Sequence, residues 1–238
     1  GVDYMFCIKI ANIPIGIENQ YPYIHYLCRD YIETKEDPVF TVSVSEEEII
    51  QEQDGDMRFS KGYCEGLCIY RKICYALVKY DAFLMHSAVV SVDGMGYVFA
   101  APSGVGKTTH IRLWLEVFKE KAQVINGDKP IFRFIDGVLY ACGTPWQGKE
   151  NLGSNCMCPV QGICFLEQSS ENRIRSLNVS EASRYIFSQL LIPKEKQDFE
   201  YFWMLLEKMM ASTKFYLLQC TPKVEAARLA YKTMRRKE

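Results

Sequence analysis

Nine residues, Ala101-Pro102-Ser103-Gly104-Val105-Gly106-Lys107-Thr108-Thr109, constrain this chain more than any other stretch. The apolar run Gly96-Tyr97-Val98-Phe99-Ala100 leads into them and reads as a buried strand. His110 to Lys119 follow them, with Ile111, Leu113, Trp114, Leu115 and Phe118 spaced as on a helix. Strand, glycine-rich turn and helix in that order form the context in which such a turn cradles phosphate.

The residue types suit that chemistry. Gly104 and Gly106 leave room for a concave ring of backbone N–H groups and permit positive φ. The start of the next helix adds free N–H groups and the positive end of its dipole. Lys107 brings a full charge to the outer phosphates, and the Thr108 hydroxyl offers one position to Mg²⁺. Ala101 stands where the usual pattern begins with glycine, and it is small enough for the turn at negative φ. The expected binding set is Ser103, Gly104, Val105, Gly106, Lys107, Thr108 and Thr109, with ATP and Mg²⁺ as its ligands.

With 238 residues, 48% of them hydrophobic and 24% charged, the chain has core material for one ordinary domain with a smaller appendage. A net charge of −1 argues against a nucleic-acid or membrane-surface partner, and the basic end from Lys232 to Lys237 reads as a solvated helix terminus. No apolar run approaches the roughly 20 residues that span a bilayer. No signal-peptide pattern opens the sequence at Gly1, so the expected compartment is the cytoplasm. Ten cysteines without a Cys-x-x-Cys pair, beside three histidines, read as small buried apolar residues rather than zinc ligands.

Residues 1–80 form an expected N-terminal α+β lobe that packs on the nucleotide domain or presents substrate to it. Tyr4–Ile10 and Val39–Val44 read as strands, Ser45 with Glu46, Glu47 and Glu48 as a helix start, and Gly62 to Tyr80 as an amphipathic helix. Residues 81–238 form the expected nucleotide domain, with a core over 83–177 and a helical part over 178–238. Its expected strands are Phe83–Val92, Met95–Ala100, Gln123–Asn126, Pro130–Ile135, Val138–Cys142, Ile163–Glu167 and Arg173–Leu177. Ser180–Leu191, Asp198–Met210 and Val224–Arg236 read as helices, with Phe215–Cys220 a strand before the last. Asp93-Gly94 and Asp136-Gly137 are hairpin turns. Hairpins on both sides of the phosphate loop imply an α/β fold with a mixed, largely antiparallel sheet.

Phosphoryl transfer also needs a carboxylate for the metal and often one for the nucleophile. Asp128 ends the run Val124-Ile125-Asn126-Gly127, and Glu167 ends Ile163-Cys164-Phe165-Leu166. Asp128 is the better placed, because its strand, one helix after the loop, should lie beside the loop strand. Gly143-Thr144-Pro145-Trp146-Gln147-Gly148-Lys149-Glu150 suits either a substrate-contacting loop or an ordinary hairpin exit, and Cys156-Met157-Cys158-Pro159 reads as a strand entry.

The order of Leu84-Met85-His86-Ser87-Ala88-Val89-Val90, a glycine-containing hairpin, the loop, its helix and Ile125-Asn126-Gly127-Asp128-Lys129-Pro130 resembles the kinase core of the HPr serine kinase/phosphorylase family. That family shares a fold with ATP-dependent phosphoenolpyruvate carboxykinase, and the resemblance covers roughly Phe83 to Leu177. It implies a compact, stand-alone member in which Gly104, Gly106, Lys107 and Thr108 hold phosphates and metal. It places His86 near the phosphates, and matches Asp128 to the second of two adjacent aspartates that serve as metal ligand and as base toward a serine. Lys107, Asp128 and His86 are thus the catalytic candidates, and Thr108, Asp128 and Glu167 the metal candidates. The first aspartate of the pair is replaced here by Gly127. Two functions follow as expectations. One is a serine-type kinase acting on a protein, peptide or small molecule, using Asp128 alone or with Glu167 or Glu150. The other is a nucleotide-binding regulator with little or no transfer. The length disfavours carboxykinase chemistry, and no Asn-Lys-x-Asp guanine motif is present. The oligomeric state stays open.

Overall fold

The computed structural model describes residues 5–236, which fall into two compact units divided between Leu77 and Val78. Tyr4, the expected start of the first strand, and Lys237, the end of the basic tail, lie outside the described residues.

In the first unit, β1 (Met5–Ile10) and β2 (Ile13–Glu18) form an antiparallel hairpin around Ala11 and Asn12, both at positive φ (53° and 61°). The sequence reading missed β2 because Pro14 and Gly16 blunt its strand signal. The helix α1 (Pro22–Leu27) was missed as well, being too short for a periodic pattern. The strand β3 (Phe40–Val42) lies parallel to β2. Ser45 caps α2 (Glu46–Gln53): its hydroxyl accepts from the Glu48 N–H while Glu48 accepts from the Ser45 N–H. The helix α3 (Lys61–Leu77) packs on α1 and α2 and buries Cys64, Cys68 and Cys74. Glu65 of α3 is fully buried, and its carboxylate accepts from the Gln20 and Tyr21 N–H groups at 2.6 and 3.1 Å. Burial holds its carboxyl above the usual range.

The second unit holds β4 (Ala82–Leu84), β5 (Ala88–Val92), β6 (Met95–Ala100), α4 (Lys107–Phe118) and β7 (Ala122–Asn126). Next come β8 (Ile131–Ile135), β9 (Val138–Cys142), β10 (Met157–Gln168) and β11 (Arg173–Leu177). It closes with α5 (Val179–Ile186), α6 (Lys196–Ser212), β12 (Phe215–Cys220) and α7 (Val224–Met234). The sheet runs β4-β8-β9-β10-β6-β5-β7, with β12 also beside β10 and β11 beyond β12. Pairing is parallel where β10 meets β6 and β12, and antiparallel elsewhere in this sheet. The mixed α/β fold expected from the hairpins is therefore observed. Asp93-Gly94 and Asp136-Gly137 turn at positive φ throughout (50° and 78°, 49° and 80°), the geometry that matches strand twist.

The central strands are buried on both faces. Val98 and Ala100 of β6 join Val89 in a cluster with Ile186, Phe202, Leu206 and Met209 from α5 and α6. Tyr97 and Phe99 point the other way and meet Ile111, Leu113 and Trp114 of α4 with Ala227, Ala230 and Met234 of α7. Alternation with period two thus builds helix, sheet and helix layers, and fixes where α4 starts relative to β6.

Three expectations need correction. Phe83–Val92 is not one strand: β4 pairs with β8 and β5 with β6 and β7, so the chain leaves one part of the sheet for another at Met85-His86-Ser87. There the His86 N–H donates to the Gln189 carbonyl at 2.7 Å and the Ser87 N–H to the Asp128 carbonyl at 3.2 Å. The strand ending before Asp128 does not adjoin the loop strand, because β5 lies between β7 and β6; the direct neighbours of β6 are β5 and β10. Cys156–Pro159 is more than a strand entry, since Met157, Cys158 and Pro159 are the part of β10 that pairs with β9. All ten cysteines are free thiols, and burial pushes Cys142 and Cys158 up to about 12.

Candidate active site

The turn from β6 to α4 has the geometry its glycines allow. Gly104 and Gly106 sit at φ 83° and 112°, and nothing lies within 4 Å of a Cβ added at either. Backbone conformation, not crowding, therefore calls for glycine. Gly106 is the residue preceding the first turn of α4, and no side chain caps that helix. The N–H groups of its first turn are left for solvent or a ligand. The Lys107 ammonium folds back and donates to the Ala101 carbonyl at 2.8 Å.

A cleft of about 470 Å³ opens over this turn. One wall is Ser103, Gly104 and Gly106 to Thr109; the other is Gly127, Asp128, Gln147 to Glu150 and Leu152. The structure thus brings Lys107, Thr108 and Asp128 to one cavity, together with the end of the Gly143–Glu150 segment. The Asp128 carboxylate accepts from the Lys129 ammonium at 2.5 Å and is partly open to solvent. Gly148, at φ 72°, lies against it: a Cβ there would stand 2.9 Å from the Asp128 Cβ. Arg112 of α4 reaches across to Glu150 at 2.8 Å, an exposed pair.

Asn126 positions the second wall. It is 0% exposed, and its amide nitrogen donates to the Thr144 and Trp146 carbonyls at 3.3 and 3.1 Å. Its amide oxygen accepts from the Asp128 and Lys129 N–H groups at 2.8 and 2.7 Å. Both ends of the carboxamide are used, so the Gly127–Lys129 backbone is fixed to the Thr144–Trp146 turn. The sequence reading passed over Asn126, because its partners lie up to 20 residues away. A polar residue closing an apolar run was the one available signal.

His86 sits in the break between β4 and β5, half-buried. Burial holds its pKa below the usual histidine value, helped by Lys129 and Lys107 and opposed by Asp128. Lys107 is likewise held below the usual lysine value, chiefly by burial, with Asp128 opposing. These four groups share one electrostatic neighbourhood, with His86 neutral near pH 7. Glu167 is elsewhere: its carboxylate accepts from the Tyr185 hydroxyl at 3.3 Å and the Gln219 amide at 3.2 Å, outside the walls of the cleft. Among the described residues no group of three or more His, Cys, Asp or Glu could hold a metal by itself. No helix among them is long and apolar enough to cross a membrane.

A second cavity of about 510 Å³ flanks the same helix start and shares Gly106 and Thr109 with the cleft. Val105, His110 and Leu113 line it further, and the C-terminal ends of β10 and β12 with the residues that follow them complete it.

Among solved structures, the chain is similar to the HPr(Ser) kinase/phosphatase from Coxiella burnetii at 8% sequence identity and a TM-score of 0.38, over 63% of this chain and 93% of that one. No family model matches the sequence. No curated protein matches it either.

Proposed function

We propose that the chain binds ATP with Mg²⁺ and transfers the γ-phosphate to a serine-type hydroxyl of a protein, peptide or small molecule. The observation that carries this reading is the single cleft bounded by the Gly104–Thr109 turn on one side and Asp128 on the other. The free N–H groups of the turn and of α4 bind the phosphates, and Lys107 exchanges the Ala101 carbonyl for their oxygens. The Thr108 hydroxyl and one Asp128 oxygen are hard donors facing the same space, which suits Mg²⁺, an ion that fills its other positions with water and phosphate. Bound there, the ion would offset charge on the phosphates. The acceptor oxygen attacks the γ phosphorus, the bond to the β–γ bridging oxygen breaks, and the free Asp128 oxygen takes the hydroxyl proton. Lys129 steadies the carboxylate, and neutral His86 adds no positive charge of its own.

A second reading, a nucleotide-binding regulator with little transfer, is favoured by Gly127. A Cβ there would lie 3.2 Å from Leu152 Cβ and 3.3 Å from its carbonyl, so a second acid at this position would need the 147–152 segment to shift. ATP carrying ³²P at its γ position separates the two. A kinase moves label from ATP to a serine-containing acceptor mixture, and both Lys107→Ala and Asp128→Asn abolish the movement. A regulator binds ATP without transfer, and gains transfer in Gly127→Asp.

A further inference from the structure

His110, in the second turn of α4, is 2% exposed and forms part of the wall of the 510 Å³ cavity. Trp114, one helical turn on, donates its indole N–H to His110 Nε2 at 2.9 Å. Indole nitrogen only donates, so Nε2 must be the acceptor and a neutral imidazole carries its proton on Nδ1. Burial lowers this histidine to about 3, so the neutral form is the one present near pH 7. The Nδ1–H is buried and has no partner among the described residues. A buried N–H donor left unbonded is costly, and native proteins leave few of them.

The cavity suits a ligand that would satisfy it. It shares Gly106 and Thr109 with the phosphate cleft, so whatever carries a triphosphate seated on the turn extends toward one flank or the other of α4. Val105, Leu113 and Pro222 give it apolar walls, and Gln168, Ser169 and Thr221 give it polar groups. That mixture and its size match the usual small-molecule cleft of roughly 300–1,000 Å³. A flat aromatic base with acceptor atoms on its rim fits such walls.

We infer that this cavity receives the nucleobase of the nucleoside triphosphate, and that His110 Nδ1–H donates to a ring nitrogen or carbonyl of that base. The inference rests on the phosphate-binding reading above and assigns the part of the ligand that the phosphate cleft leaves out.

Titration calorimetry with Mg²⁺ and either ATP or inorganic triphosphate tests it, in the unaltered protein and in Ser169→Trp and Thr221→Trp. The two tryptophans fill the cavity from separate segments, after β10 and after β12. The unaltered protein should bind ATP at least about tenfold more tightly than triphosphate. Each folded tryptophan variant should bring ATP down to the triphosphate level and leave triphosphate binding unchanged. In ¹⁵N-histidine spectra, which carry only His25, His86 and His110, the His110 Nδ1 resonance should move with ATP and stay put with triphosphate. Equal affinity for the two ligands, unchanged ATP binding in a folded tryptophan variant, or an unmoved Nδ1 at saturating ATP would each overturn the inference while leaving the phosphate site standing. If the unaltered protein binds neither compound, the phosphate-loop reading falls and this one with it. Should neither variant fold, the nitrogen shift in the unaltered protein decides.

Discussion

The two walls of the cleft are shaped by different means. The 101–106 turn is set by its own backbone: two glycines at positive φ, and a helix start without a side-chain cap. The 126–129 segment is set by a side chain, the buried Asn126 carboxamide, tied to carbonyls 18 and 20 residues further on. A turn of the first kind takes its shape mainly from its own backbone, here with one distant bond from the Gln168 amide to the Val105 carbonyl at 3.2 Å, and leaves the N–H groups of the helix start open. A segment of the second kind holds Asp128 only as long as the Thr144–Trp146 turn is in place. The wall of the glycine turn is mainly local, and the wall that carries the acid is tertiary.

Changes on the first wall should affect binding more than folding, and changes on the second should do the reverse. The largest effect is expected for Lys107→Ala, which removes the one full charge on the local wall. Phosphotransfer should fall about 10²-fold or more while the melting temperature hardly moves. Asn126→Ala should act through folding, because it strands two N–H groups and two carbonyls in a buried place. A loss of about 3 kcal/mol is expected, read as a lower denaturant midpoint at unchanged slope. If this variant melts like the unaltered protein, the tertiary account of the second wall is wrong.

Each wall also has a histidine held below its ordinary pKa, His110 behind the first and His86 beside the second. In the unfolded chain both titrate near 6.5. Below that pH the unfolded state binds protons that the folded state refuses, so stability is full above about pH 6.5 and declines as pH falls. For His110 the decline continues toward about 3. Replacing either histidine by glutamine should flatten the acid limb by up to about 1.4 kcal/mol per pH unit. Unfolding curves at pH 7, 6 and 5 measure it, and an unchanged limb in both variants refutes the assignment. The smallest effect belongs to Gly104→Ala, where φ of 83° costs an alanine about 1 kcal/mol with no clash around it. ATP affinity should suffer more than that stability change, and a variant that loses stability but keeps affinity would show that this wall is not the binding one.

The same contrast explains what could be read from the amino-acid order. Gly104, Gly106, Lys107 and Thr108 are neighbours in sequence, so the positive-φ turn and uncapped helix start that they form were legible. So were the two Asp-Gly hairpins, since each turn is decided by its own pair of residues. Asp128 was found because it ends an apolar run, although the reason given was mistaken: β5 inserts between its strand and the loop strand. Glu167 ends an equally apolar run on the adjacent strand, and only tertiary structure turns it toward Tyr185 and Gln219. Asn126 left only the faint trace of a polar residue closing an apolar run, and the orphaned nitrogen of His110 left none. Hydrogen bonds between distant residues, and a bond not made, are properties of the packed state.

The most direct test compares ATP binding and phosphotransfer in the unaltered protein and in Asp128→Asn, which keeps the shape and Asn126-fixed backbone of the second wall. The account predicts ATP affinity within a few-fold of normal and transfer to a serine acceptor reduced to background. Transfer that persists in Asp128→Asn, or is absent from the unaltered protein while ATP binds, would contradict the claim that this cleft moves phosphate.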